Sequence, residues 1–275
     1  FPDTTLFRSS YQATSRTDIK PDKMKNAIIY TIVFASLQFV IGGIVMGVFK
    51  LMGHEPLGST SIFTGSILSS LLAFALFIKC KWAEVSPHWI RTRPWMVLFW
   101  TVVASLGALI PSIWLQEMLP ELPNFAEKSL ESIMSDRLGY VVVGLLAPLV
   151  EELVFRGAVL RSLLRWHHNH WVAIAISALL FALTHMNPAQ MPHAFLIGML
   201  LGWMYYRTDS IIPGVVYHWV NNSVAYAMYK ISIVVYGTGD PTLGDMFGPS
   251  VLMAVVFSIM MLLPALYQLN LRMKK

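Results

Sequence analysis

Long apolar runs separated by short polar stretches make up most of this chain after a polar start. Residues 1–24 are polar, contain no apolar signal-peptide core, and predict an N-terminal tail. The apolar segments that follow lie at approximately 26–49, 58–78, 95–116, 138–164, 170–186, 190–206, 211–233 and 248–270. About 20 apolar residues in a helix cross a hydrocarbon core. The pattern therefore predicts an all-α, polytopic membrane protein, with a membrane domain at 25–275 built from about eight transmembrane helices.

The composition supports the same class of protein. The 275 residues are 56% hydrophobic and only 13% charged, which is outside the range of soluble globular domains. A single cysteine, Cys80, excludes an internal disulfide and a thiolate metal cluster. Although the net charge is +5, the basic residues are scattered at the ends of apolar segments. Their distribution suits membrane topology, so we expect lipid as a partner and no nucleic acid.

The positions of the basic residues predict which side of the membrane each connection occupies. With eight spans, 15 of the 20 Lys and Arg residues lie on the side of the termini, and four lie on the other side. The positive-inside rule therefore places both termini in the cytoplasm. The acidic segment 117–136 is then outside, where it is expected to form a short interfacial helix. We expect a multi-pass protein of the plasma (bacterial inner) membrane.

Three charged residues lie near the middle of the fourth apolar segment. Glu151 is roughly 20 Å along the helix from Arg137, a depth at which charged groups are costly and are functional candidates. Glu152 and Arg156 are four apart, so they share a helical face and predict a buried ion pair. Glu151 points elsewhere and is the candidate working carboxylate. The alternative is a purely structural pair, with Glu151 reaching solvent.

Two later segments also carry polar groups at helical spacing. Phe181 and His185 are four apart in the fifth segment, and His218 and Asn222 are four apart in the seventh. Because lipid cannot satisfy buried polar groups, these side chains must pair with one another or hold water. A carboxylate and an imidazole around one water form a general acid–base device. A second histidine and a carboxamide are suitable hydrogen-bond donors for an oxyanion.

The motifs EE-x-x-x-R (Glu151, Glu152, Arg156), F-x-x-x-H (Phe181, His185) and H-x-x-x-N (His218, Asn222) occur in this order on successive apolar segments. Together they resemble the CPBP family of CAAX proteases and bacteriocin-processing enzymes, which includes the Rce1-type prenyl-protein endopeptidases. The motif core lies within 138–233, and the family's eight-helix core agrees with the segment count.

The resemblance implies an intramembrane, metal-independent glutamate endopeptidase. Glu151 and His185 would activate the attacking water, and His218 and Asn222 would hold the oxyanion. Glu152, Arg156 and Phe181 would support the site. No cofactor is implied. The substrate would be a membrane-associated peptide or protein, such as a prenylated C-terminus, a leader peptide or a signalling propeptide.

Two alternatives remain at this stage. The chain could be a non-catalytic CPBP-like membrane protein that acts as an immunity factor, a regulator or a subunit of a membrane complex. Its contacts with a protein partner would then involve 1–24 or 117–136. The chain could also be a metallopeptidase with zinc bound by Glu151, His185 and His218.

Overall fold

The computed structural model describes residues 21–84, 94–136 and 138–273, and within these ranges every regular element is helical. In chain order the helices are α1 (Pro21–Leu51), α2 (Ser59–Lys79), α3 (Trp95–Glu117), α4 (Glu127–Ser135), α5 (which joins Val141–Leu146, Ala147–Val154, Phe155–Leu160 and Arg161–Trp166), α6 (His170–Thr184), α7 (Met191–Thr208), α8 (Ile212–Tyr236), α9 (Leu243–Phe247) and α10 (Val251–Arg272). The predicted all-α fold is confirmed.

All eight predicted apolar segments are helical in the structure. In the described part of the chain, four helical stretches are long and apolar enough to cross a membrane: α1, α2, α3, and α9 together with α10. The segments that carry the motifs form α5, α6 and α8, and their crossing of the membrane stays a prediction. Residues 1–20 of the predicted tail lie outside the described residues. Helix α1 begins at Pro21, a residue whose fixed φ suits the first helical position.

The outer faces of the terminal helices are strongly apolar. Large aliphatic and aromatic side chains of α1 and α10 point away from the protein, including Ile32, Val40, Leu252 and Phe257, each more than half exposed. A soluble protein rarely exposes apolar patches of this extent. These faces therefore support an integral membrane protein with lipid around its periphery.

Helix α5 is the buried centre of the bundle. Leu153, Val154, Phe155, Val159 and Leu160 are all fully buried and belong to one hydrophobic cluster. Helices α1, α2, α6 and α7 pack around α5. A second cluster joins α3, α7, α8 and α10. Because α5 is enclosed on most sides, polar side chains on it must find partners inside the protein.

Close helix crossings bring the motif helices together. A Cβ atom added to Gly198 of α7 would lie 2.9 Å from the Cβ of Ala178 of α6. One added to Gly202 would lie 2.8 Å from Cγ2 of Ile174. Real side chains do not tolerate these distances, so glycine is needed for the approach. Gly198 and Gly202 therefore allow α6 and α7 to pack closely.

Helix α5 is not a uniform α-helix. Its segments Val141–Leu146 and Phe155–Leu160 have π-helical geometry, on either side of the α-helical Ala147–Val154 that carries both glutamates. Pro148 has no N–H to donate to the residue four positions earlier. Just before it, the N–H of Ala147 donates to the carbonyl of Val142, five residues back. Such π segments occur often at functional sites.

Candidate active site

Glu152 and Arg156 form a fully enclosed ion pair in α5. Arg156 Nη1 donates to Glu152 Oε1 at 2.6 Å, and the side chains are 1% and 0% exposed. Arg156 Nη2 also donates to the carbonyl of Gly198 at 3.4 Å. A buried charge without a partner is strongly destabilising, and each of these charges has one. The pair links the centre of α5 to the backbone of α7.

Phe181 of α6 connects the charged pair to both histidines. The guanidinium carbon of Arg156 lies 4.7 Å from the centre of the Phe181 ring, a cation–π contact. The same ring meets His185 edge to face at a centroid distance of 4.9 Å, and His218 at 6.0 Å. Phe155 packs on it at 5.1 Å. Phe181 therefore fixes the relative positions of groups from three helices.

His218 of α8 lies between the two carboxylates. Its Nε2 is 3.7 Å from Glu151 Oε2, and its Nδ1 is 3.4 Å from Glu152 Oε1. Neither contact has hydrogen-bond geometry, and Nδ1 is buried without a hydrogen-bond partner among the described residues. The Glu151 side chain is 20% exposed, whereas that of Glu152 is 0% exposed. Glu151 is thus the carboxylate that a substrate or water can reach.

His185 directly follows α6, whose last residue is Thr184. Its Nδ1 lies 3.0 Å from the carbonyl oxygen of Phe181. A carbonyl only accepts, so Nδ1 carries the proton and Nε2 of the neutral ring is an acceptor. In the described part of the chain, the imidazole that approaches the Glu151 carboxylate is that of His218. His185 joins the cluster through Phe181.

Asn222 anchors α8 to the first π segment of α5. Its Nδ2 donates to the carbonyl of Val143 at 2.9 Å, and its Oδ1 accepts from Asn221 Nδ2 at 3.3 Å. A carboxamide nitrogen has two N–H donors, so one remains for another acceptor. Asn222 and His218 both face α5, one turn apart.

Helices α5, α6 and α8 bring these polar groups together. Comparison with known families identifies the segment that carries them. Residues 134–224 match the model of the Rce1-like type II CAAX prenyl endopeptidases. This segment is similar to the Rce1-like family. The family is one of membrane proteases, which supports an intramembrane endopeptidase. No curated protein and no solved structure matches the chain significantly.

The three ligands of the zinc alternative do not converge in the Rce1-like segment. In the described ranges, no group of three His, Cys, Asp or Glu side chains is arranged to hold a metal ion. Of the three, Glu151 and His218 approach each other, while His185 turns its Nδ1 to the Phe181 carbonyl. The arrangement suits proton transfer and hydrogen bonding to a substrate carbonyl.

Sequence reasoning missed several contacts that hold the site. Glu152 Oε2 is buried against Gly214 of α8 and has no hydrogen-bond partner in the part of the chain that the structure describes. The carbonyls of Gly198 and Val143 accept from Arg156 and Asn222. Backbone carbonyls carry no signal in a sequence. Gly214 directly follows a proline near the start of α8, which gives a weak signal for a close approach.

A cavity lies beside this site. It has a volume of about 660 Å³, and its lining includes His193 of α7 and Asn221 of α8. Neither histidine of the motifs lines it, and neither does Glu151. Asn221 nevertheless donates to the motif residue Asn222, and His193 is close enough to His185 and His218 to interact with them electrostatically. The cavity therefore adjoins the motif residues of the Rce1-like segment.

Proposed function

We propose that this protein is a metal-independent glutamate endopeptidase that hydrolyses a peptide bond of a membrane-associated polypeptide. The observation that carries the proposal is the placement of Glu151 in the Rce1-like segment. Of the two adjacent glutamates, Glu151 is partly exposed, whereas Glu152 is fully buried against Arg156. Glu151 Oε2 lies 3.7 Å from His218 Nε2. Burial of this many polar groups in a membrane protein is costly, which favours a functional reason for them.

The reaction begins with a water molecule held between Glu151 and His185. Glu151 takes a proton from the water as the oxygen attacks the carbonyl carbon of the substrate. His185 presents Nε2 as the acceptor for the remaining water proton, because Nδ1 donates to the Phe181 carbonyl. A tetrahedral intermediate with a negatively charged oxygen results.

His218 and Asn222 stabilise this oxyanion. Both side chains are fixed before substrate arrives, His218 between the glutamates and Asn222 on the Val143 carbonyl. Preorganised donors of this kind contribute a large part of many rate enhancements. The carbon–nitrogen bond then breaks, and Glu151 returns its proton to the leaving amine. The products are a new amino terminus and a new carboxyl group, which becomes a carboxylate when its proton passes to Nε2 of His185 and on to solvent.

The remaining motif residues position Glu151. Glu152 and Arg156 hold the middle of α5 against α7, and Phe181 supports Arg156 and both histidines from α6. Removal of either charge would leave its partner buried alone. The substrate is proposed to be a prenylated C-terminus, a leader peptide or a signalling propeptide.

The test is the substitution Glu151→Gln, which keeps size and hydrogen bonding but removes the base. New amino termini are mapped in the membrane fraction of cells that express wild type or the variant. We expect a set of termini that the variant fails to generate, with activity reduced by about 10²–10⁴-fold because a general base is lost.

The matched control is Glu131→Gln, the same change at an exposed position of α4. The control should cleave like wild type, and both variants should remain monodisperse after extraction in detergent. Unchanged cleavage by a folded Glu151→Gln protein would refute the proposal and favour a non-catalytic binding role.

A further inference from the structure

The point at which α6 ends determines which acceptor the His185 ring finds. In a continuous α-helix the N–H of His185 would donate to the carbonyl of Phe181, four residues earlier. Here that N–H donates to the carbonyl of Ala182 at 3.2 Å. The Phe181 carbonyl accepts instead from Oγ1 of Thr184 at 2.8 Å and lies 3.0 Å from Nδ1 of His185. A carbonyl oxygen has two lone pairs, so an extended α6 would put the His185 N–H in competition with Nδ1.

The backbone just after His185 is held in a conformation that its side chain disfavours. Met186 has a φ of +48°, in the left-handed region that residues other than glycine rarely adopt. Such a conformation persists only where surrounding contacts enforce it. A left-handed residue also cannot continue a right-handed helix. The contacts that enforce this turn therefore determine where α6 ends.

Asn187 supplies such contacts, to the connection between α3 and α4 formed by residues 118–126. The residue is only 1% exposed, although it lies in a loop. Its Oδ1 accepts from the N–H of Phe125 at 2.9 Å, and its Nδ2 donates to Oδ1 of Asn124 at 2.8 Å. Both ends of the buried carboxamide thus bind the same connection, which fixes the turn directly after Met186.

We propose that Asn187 is a positioning residue for the reaction. By tying the turn to residues 118–126, it stops α6 directly before His185. Nδ1 of His185 then stays on the Phe181 carbonyl, and Nε2 stays available to accept a proton from the attacking water. The inference rests on the proposed endopeptidase function and gives a residue outside the three motifs a role that acts through His185.

The substitution Asn187→Ala has a matched control at the other end of the same helix. Asn169 is the N-cap of α6, and its Oδ1 accepts from the N–H of Trp171 at 2.9 Å. Asn169→Ala therefore also removes a carboxamide that accepts from a main-chain N–H, and both variants lose some stability. Only Asn187→Ala releases the end of α6 that precedes the catalytic histidine. The loop stays attached in this variant, because the N–H of Ala189 donates to the carbonyl of Pro123 at 3.2 Å.

The first measurement needs no turnover. The full chain with isotope-labelled histidine nitrogens is held in nanodiscs at about pH 8.5, above the ordinary titration range of imidazole. The ring signals of His185 are assigned by their loss in His185→Gln. We expect the wild type and Asn169→Ala to carry the proton on Nδ1 alone, and Asn187→Ala to show both tautomers or averaged signals. An unchanged tautomer in a folded Asn187→Ala protein would overturn the proposal.

The second measurement is steady-state kinetics on the mapped substrate. Asn187→Ala should lower kcat about 10–10²-fold with KM nearly unchanged, because small misplacements of a catalytic group are costly. Asn169→Ala should keep the wild-type kcat. Asn124→Ala removes one of the two bonds from an exposed residue, so it does not endanger folding, and kcat should fall by a smaller factor.

Two kinetic results would contradict the role of Asn187. One is an equal loss of kcat in Asn187→Ala and Asn169→Ala, and the other is an unchanged kcat in both Asn187→Ala and Asn124→Ala. The tautomer measurement separates this role from the proposed activity. A disturbed tautomer in Asn187→Ala with no cleavage by wild type would reject the endopeptidase and retain the control of His185 by Asn187.

Discussion

Gly214→Ala is the perturbation that most directly tests how rigidly the site is held. A Cβ atom at this position would overlap Oε2 of Glu152 and come within 3.1 Å of its Cδ. Because this Cβ atom is fixed to the backbone of α8, the overlap is relieved only when α5 and α8 separate or when the carboxylate moves. Its movement is opposed by the 2.6 Å hydrogen bond from Arg156 and by complete burial of the side chain.

The expected loss of stability depends on which of two ways the structure responds to the added methyl group. If the bundle spreads, the cost is that of overpacking a core, about 1–3 kcal/mol. If Glu152 instead leaves Arg156, a buried pair is broken at about 3–5 kcal/mol. We therefore expect the free energy of unfolding to fall by about 1–5 kcal/mol, and cleavage to fall because Glu152 also contacts His218 at 3.4 Å.

The assay is unfolding of the purified protein in detergent, compared with Gly47→Ala. Gly47 is an exposed residue inside α1, and a Cβ there would meet nothing within 4 Å. The same glycine-to-alanine change should be neutral or stabilising by up to about 1 kcal/mol at this control position. If Gly214→Ala unfolds like the control and cleaves normally, Glu152 is not fixed as described, and its supporting role is refuted.

Two further predictions concern the chemistry. Asn222→Ala should lower kcat by about 10²–10³-fold with little change in KM, because an oxyanion donor acts in the transition state. Steady-state kinetics on the mapped substrate decides this, and a raised KM with unchanged kcat would instead indicate a role in substrate binding. Cleavage should persist in a chelator, and elemental analysis should find no stoichiometric zinc, because Glu151, His185 and His218 do not converge as ligands. Loss of activity in the chelator that added zinc restores would support the zinc alternative.

The spacing of residues along the sequence predicted the contacts of the site that form within a single helix. The i,i+4 rule paired Glu152 with Arg156, and the structure has this pair at 2.6 Å. It also placed Phe181 and His185 on one face, where their rings meet edge to face. These relations depend on helical periodicity, which is a property of the sequence itself. The roles of these residues in catalysis stay predictions.

Contacts between different helices could not be predicted from the spacing of residues along the sequence. That His218 lies between both glutamates depends on the packing of α8 against α5, and no periodicity within either helix defines it. The cavity beside the motif residues combines residues from near 117, 193, 221 and 240, so it exists only in the folded bundle. The π segments were also missed, because an apolar run shows the same pattern for a regular and a widened helix. Only Pro148 marked the first of them.

The widened turns of α5 have a consequence for how this protein tolerates change. A π turn amounts to one additional residue within an α-helix, and one residue corresponds to about 100° of rotation. Deleting a residue from Val141–Leu146 would therefore restore regular α-helical hydrogen bonds in this segment. It would also rotate Tyr140 away from α8 and break its hydrogen bond to Ser223. A deletion in this helix therefore acts differently from a substitution, since a lost residue redirects every group before it at once.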